Sequence, residues 1–172
     1  MGTGAFEDLS PDLVESVMEE GAKLAAEVLA PLNRSGDAEG AKFSKDVVSV
    51  PAGFADAYRK WVEGGWGSPA ATPEFGGQGL PVALAVAMQE MWNAACLSFG
   101  LCPILSQGAI EALTAHGTDE QKNLYLPKLI SGEWTGTMNL TEPQAGSDLN
   151  ALKAKAVPQG DGTYKITGTK IY

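Results

Sequence analysis
Histidine occurs once in these 172 residues and cysteine twice. A lone His116 supplies no set of imidazoles for a metal centre, and Cys96 and Cys102 lack the paired spacing of a zinc site. With no secretory leader, two cysteines point to buried thiols in a reducing compartment and not to a disulfide. Residues 1–6 have neither the basic start nor the apolar core of a signal peptide. Long apolar runs are also missing. The most apolar region, 80–106, is interrupted by Gln89-Glu90 and by Asn93, so the sequence predicts no membrane span. Basic side chains number 12 against 21 acidic ones, and the net charge of −9 argues against nucleic acid as a partner. No internal repeat is visible. The expectation is a cytoplasmic protein without a metal site.

What is present divides near residue 134. Residues 1–134 hold 18 acidic and 8 basic side chains, whereas 135–172 hold 3 and 4, so the tail is the part less hostile to an anionic ligand. The first part has helical spacing. Ser10-Pro11-Asp12 is a helix start, with Ser10 as cap and Asp12 at the positive end of the dipole. Apolar residues follow at Leu13, Val14, Val17, Met18, Leu24, Val28 and Leu29, and Pro31 marks the expected end. Residues 33–51 are expected to form a long polar loop with one brief extended piece at Val47-Val48-Ser49-Val50. A second helix over 53–63 places Phe54, Ala57, Tyr58, Trp61 and Val62 on one face. The Gly76-Gly77-Gln78-Gly79 cluster has no preceding strand and no following Lys-Ser/Thr, so it is a bend feeding the next helix and not a phosphate loop.

Residues 81–100 form the most apolar helix, with Glu90 its only charge, which suits the core of a bundle. Met88, Met91 and Trp92 fit that core better than the wall of an acyl channel. A further helix over 104–115 is expected after Cys102-Pro103, with His116 capping its C-terminus. Thr118 and Gln121 then open the last helix as a capping box, and it stops at Ser131-Gly132. From Trp134 the period becomes two. Strands are expected at 138–140, 152–157 and 164–166, with a turn at 158–162 and another strand opening at Lys170-Ile171-Tyr172. The predicted fold is mainly α: a helical bundle domain over 1–134, then the opening strands of an antiparallel β-domain over 135–172. Three or four short strands leave open edges and half a core, so the chain is expected to be a fragment of a longer protein.

The chemistry concentrates in the run from Thr137 to Leu149, Thr-Met-Asn-Leu-Thr-Glu-Pro-Gln-Ala-Gly-Ser-Asp-Leu. It begins as a strand and breaks at Pro143, while Gly146 permits the positive φ of a tight turn. Two hydroxyls, Thr141 and Ser147, flank the break together with backbone N–H groups that have no evident ladder partner. Such a turn can hold a ligand rich in acceptor oxygens, a phosphate or the carbonyl edge of a flavin. On composition alone the commoner meaning is a strand-ending turn in which Ser147 and Asp148 bond their own backbone.

This run resembles the T-E-P-x-A-G-S-D signature that opens the middle β-domain of acyl-CoA dehydrogenases. Pro73-Glu74-Phe75-Gly76-Gly77-Gln78-Gly79-Leu80 resembles the family's P-E-x-x-G-G-x-G-L loop. Gly117-Thr118-Asp119-Glu120-Gln121-Lys122, Tyr125-Leu126-Pro127 and Gly132-Glu133 resemble its G-[ST]-x-E-Q-K…Y-L-P…G-E segment. Three matches in the same order are more specific than any one, and they cover residues 70–172.

The resemblance implies an FAD enzyme that converts an acyl-CoA thioester to the 2-enoyl-CoA, with an electron-transferring flavoprotein as acceptor and a homodimer or homotetramer at full length. Carried over by position, Met138 and Leu140 approach the flavin, partly through backbone groups, and Thr141 bonds the ring. Gly146 allows the close turn, Ser147 contacts pyrophosphate or the CoA end of the substrate, and Tyr172 flanks the flavin. Glu142 is a structural carboxylate; no catalytic residue falls in this chain, and the base would lie beyond Tyr172. Met138 stands where many short- and medium-chain members carry an aromatic, and Asn139 where many carry a small residue. Those departures imply a divergent subfamily for a bulkier or modified acyl group. The alternatives are an oxidase or flavin monooxygenase of the same architecture, or a non-catalytic helical module binding through 81–100.

Overall fold
The computed structural model describes residue 6 and residues 9–67 and 69–171. They form two compact units, Met1–Gly136 and Thr137–Tyr172. The first is helical. Helix α1 (Pro11–Lys23) starts where Ser10 Oγ accepts from the Leu13 N–H at 3.2 Å. It does not stop at Pro31. A π-helical segment, Leu24–Leu29, leads straight into α2 (Ala30–Glu39), and the Ala30 N–H reaches back five residues to the Ala25 carbonyl. The wider turn comes just before the residue that has no N–H to give and whose ring would crowd the preceding turn, so the helix passes through the proline. The same widening places Leu24, Ala25 and Leu29 in the core.

The expected loop over 33–51 is instead the second half of α2 followed by a hairpin, β1 (Lys42–Ser44) and β2 (Val47–Ser49), paired Phe43 to Val48. Lys45 (φ 52°) and Asp46 (φ 60°) make the connection. Two consecutive left-handed residues suit the twist of a two-residue hairpin, but Lys-Asp lacks the glycine that usually signals one. Helix α3 (Phe54–Glu63) buries Ala57 and Trp61.

Helix α4 (Val82–His116) runs for 35 residues with Pro103 inside it. The interruption expected at Cys102-Pro103 lies at Cys96 (φ −156°, ψ 90°). Across that break Gly100 meets the Asn93 side chain, whose Oδ1 accepts from Gln89 Nε2 at 3.1 Å, and a Cβ at position 100 would collide with it. By length and composition alone α4 could cross a membrane. Its Leu84, Met88, Trp92, Cys96 and Phe99 nonetheless form the main core with α3 and the π-helical segment, so Met88 and Trp92 are packing residues. Of the two thiols expected to be buried, Cys96 is and Cys102 is exposed.

Helix α5 (Asp119–Ile130) opens with both bonds of the capping box: Gln121 N–H to Thr118 Oγ1 at 3.2 Å, and Thr118 N–H to Gln121 Oε1 at 2.9 Å. Leu126, Leu129 and Ile130 pack with Ile110 and Ala71 in a second core cluster. Thr118→Ala should cost about 1 kcal/mol in a urea denaturation followed by ellipticity. A change of only a tenth or two would mean the cap contributes nothing in this context.

The second unit is built on one antiparallel pair, β3 (Lys155–Pro158) and β4 (Tyr164–Thr167), in register from Lys155–Thr167 to Pro158–Tyr164. Asp161 Oδ1 closes the turn by accepting from the Thr163 N–H at 2.9 Å. Neither 138–140 nor the described residues 170–171 form the strands expected of them, and a 3₁₀ turn at Leu149–Ala151 delays β3 to Lys155. Residues 138–140 alternate correctly for a strand but find no ladder partner. Lys170 Nζ takes the Leu140 carbonyl at 3.1 Å and the Ile171 N–H takes the Thr141 carbonyl at 3.0 Å.

Candidate functional site
The turn in the second unit is set by Pro143. Glu142 and Ala145 exchange backbone hydrogen bonds around it, Glu142 N–H to Ala145 C=O at 2.7 Å and Ala145 N–H to Glu142 C=O at 3.0 Å. The Glu142 side chain is buried at 4% exposure. Its carboxylate accepts from the Lys153 N–H (2.7 Å), the Ala154 N–H (3.0 Å), Lys170 Nζ (2.9 Å) and Gln144 Nε2 (2.7 Å). One side chain thus ties the turn to the segment entering β3 and to the one leaving β4. The Lys153 N–H first, and then the Lys170 ammonium, lower its pKa to about 2. A carboxylate so stabilised as the anion is a poor proton acceptor, and the geometry is that of a structural group.

Around this frame several donors stand unpaired. The carbonyls of Leu140 and Thr141 are taken by Lys170 and Ile171. The N–H groups of Met138, Leu140, Thr141, Gly146 and Ser147, and the hydroxyls of Thr141 and Ser147, have no hydrogen-bond partner among the described residues. Thr141 and Leu140 are half-buried, while Met138, Gly146 and Ser147 are exposed. Asp148 follows the purely local alternative, its Oδ1 accepting from the Asn150 N–H at 3.1 Å, but Ser147 makes no such bond. Donors without acceptors, next to a lysine, fit an acceptor-rich ligand such as FAD.

Gly146 does not use the positive φ expected of it. A Cβ there would meet only Thr141 Cγ2, at 3.6 Å, so the backbone itself does not require glycine. The short distance also shows that Thr141 and Gly146 are neighbours in space as well as in sequence. Tyr172 lies outside the described residues. Lys170 is the site residue that sequence reasoning passed over. It sits 28 positions from Glu142, in a stretch assigned to a cut-off strand, and no local pattern joins the two.

The family model for the acyl-CoA dehydrogenase N-terminal domain matches residues 14–133. A 3-methylmercaptopropionyl-CoA dehydrogenase of Ruegeria pomeroyi is 48% identical over 167 residues, which is 97% of this chain and 28% of the relative. The structure of butyryl-CoA dehydrogenase from Megasphaera elsdenii shares the fold with a TM-score of 0.78 at 22% identity, over 95% of this chain and 41% of that one. An FAD complex of PigA does so with a TM-score of 0.74 at 23% identity, over 95% and 40%. The chain therefore spans little more than a quarter of the length of its Ruegeria relative.

Proposed function
Since this chain belongs to the acyl-CoA dehydrogenase family, we propose that the protein carrying it oxidises an acyl-CoA thioester to the 2-enoyl-CoA. In that reaction the α-C–H bond breaks to give a proton to a base, the β-C–H bond breaks to give a hydride, and a C=C bond forms. FAD, when bound, supplies the hydride acceptor, and an electron-transferring flavoprotein reoxidises it. The observation that carries this reading is the turn locked by Glu142, whose neighbouring N–H and hydroxyl donors are unspent.

Within it the Thr141 hydroxyl and the N–H groups of Met138 and Leu140 bind flavin acceptors, and Tyr172 flanks the ring. Gly146 keeps the space beside Thr141 Cγ2 free for ligand, and Ser147 offers its hydroxyl to pyrophosphate or to the CoA end of the substrate. Holding the ring through several donors at once fixes the face presented to the β-carbon, which hydride transfer requires. Glu142 takes no part in proton abstraction, and the family resemblance puts the base outside this chain. Identity of 48% to an enzyme named for a methylmercapto substrate supports a short acyl group carrying a thioether. A cytoplasmic homo-oligomer completes the proposal.

The test is a visible spectrum of the purified full-length protein, followed by anaerobic titration with 3-methylmercaptopropionyl-CoA and with butyryl-CoA. The expected result is a bound-flavin spectrum that bleaches at lower concentrations of the thioether substrate. Flavin indifferent to every thioester would replace the dehydrogenase with the monooxygenase alternative. A folded full-length protein without flavin would remove the assignment of Thr141 and Ser147.

A further inference from the structure
The stretch 131–136 leaves α5 and is the last part of the helical unit before the segment proposed to hold flavin. It is fastened at both ends. Tyr58 Oη donates to the Gly132 carbonyl at 2.9 Å, and Gly132 has a φ of +79° with no room for a side chain beside Val62. At the far end the Gly136 N–H donates to Ser106 Oγ at 3.0 Å. Gly136 is also packed too closely for a side chain, since a Cβ there would lie 2.7 Å from Ala109 Cβ and 3.1 Å from the Leu105 carbonyl.

Ser106 is 6% exposed and lies between Pro103 and Ile110, both buried. A buried helical serine ordinarily satisfies itself by bonding the carbonyl four residues back, and Ser106 does so with Cys102 at 3.3 Å. That donation leaves the oxygen's acceptor capacity free, and it is spent on a backbone group 30 residues away. An apolar residue would suit the core at this position equally well. What the hydroxyl adds is the bond to Gly136.

We propose that Ser106 is a positioning residue for flavin binding: its hydroxyl holds Gly136, two residues before Met138, and so fixes the point from which the Met138–Thr141 segment sets out. This rests on the flavin site proposed above. Loss of the acceptor leaves a half-buried N–H unsatisfied and the exit from the helical unit free to shift, while every group proposed to touch flavin keeps its own chemistry.

The experiment uses the full-length protein and its Ser106→Ala and Ser106→Thr variants. FAD is titrated into the deflavinated proteins, and amide exchange is followed in the 132–136 peptide. Ser106→Ala should keep its helical ellipticity, exchange roughly tenfold faster in that peptide and bind FAD roughly tenfold more weakly. Ser106→Thr, which keeps the acceptor oxygen, should recover most of both. If Ser106→Ala loses its helical spectrum, Ser106→Cys, close in size and a far weaker acceptor, carries the same expectation. Faster exchange with unchanged FAD affinity would reduce Ser106 to a packing role, and unchanged exchange would remove the anchor itself. Wild-type protein that binds no FAD would overturn the proposed function, and this inference with it. Wild-type binding matched by Ser106→Ala would overturn the inference alone.

Discussion

Replacement of Trp92 by alanine is expected to destabilise the helical unit by about 3–5 kcal/mol. Trp92 is 3% exposed and stands at the middle of the main core. Its ring meets Trp61 edge-on at 6.3 Å and Trp66 at 5.5 Å, and its Nε1 donates to the Gly21 carbonyl at 3.1 Å. Alanine would remove a large buried ring from α4, leave a cavity facing two other tryptophans and take away the indole bond to the Gly21 carbonyl, which keeps its backbone bond from the Leu24 N–H. Against a total stability of about 5–15 kcal/mol, that is enough to populate the unfolded state at moderate temperature. Urea denaturation followed by ellipticity measures the loss. Trp92→Phe separates its parts, because phenylalanine keeps much of the apolar area and gives up only the N–H donor, for a loss of about 1 kcal/mol. A loss near 1 kcal/mol for alanine itself would show that α1, α3 and α4 do not share one cooperative core.

The second large effect belongs to the other unit. Glu142→Gln is expected to release the turn at Pro143 and expose the amides of Lys153 and Ala154 to exchange, because one carboxylate serves the Lys153 N–H, the Ala154 N–H and the Lys170 ammonium together. A neutral amide has one acceptor oxygen where the carboxylate has two, and its NH₂ group would face Lys170 or a backbone donor. Exchange at 153–154 should rise at least roughly tenfold while α4 and α5 stay protected.

The pH dependence follows from the depressed pKa. In the unfolded chain Glu142 titrates near its ordinary value of 4.5 and in the folded unit at about 2, so its contribution is fully present above about 4.5 and fades as the pH falls toward 2. Exchange at 153–154 in the wild type should therefore accelerate across that window beyond the ordinary chemical trend, and in Glu142→Gln it should not. An identical acid response in both proteins would show that the carboxylate does not hold the turn.

Much of the helical unit was legible because its signals are local. The Ser10 cap, the apolar face of α3, the Thr118–Gln121 box and the Ser131-Gly132 stop depend on residues three or four apart, and the structure has them in place. Two of the differences share a cause. By sequence Pro31 marks a helix end and Cys102-Pro103 a break between two helices, because proline disrupts the local bonding pattern. A π-helical turn before Pro31 absorbs the first, and the second lies inside a helix whose break is set at Cys96. The Lys45-Asp46 hairpin was invisible for the opposite reason, since its turn uses left-handed residues without the expected glycine.

The candidate site divides the same way. The order of Thr141, Glu142, Pro143, Gly146 and Ser147, and the role of Glu142 as a structural carboxylate, were written in the sequence by residue type and motif alone. Only the tertiary structure decided that 138–140 would not pair as a strand, that Lys170 would seal Glu142, and that Ser106 would hold Gly136. Caps, faces and turns draw their free energy from neighbours along the chain, so composition and spacing specify them. A buried acceptor meets its donor only when segments about 30 residues apart are folded against each other, and no pattern within either segment names its partner.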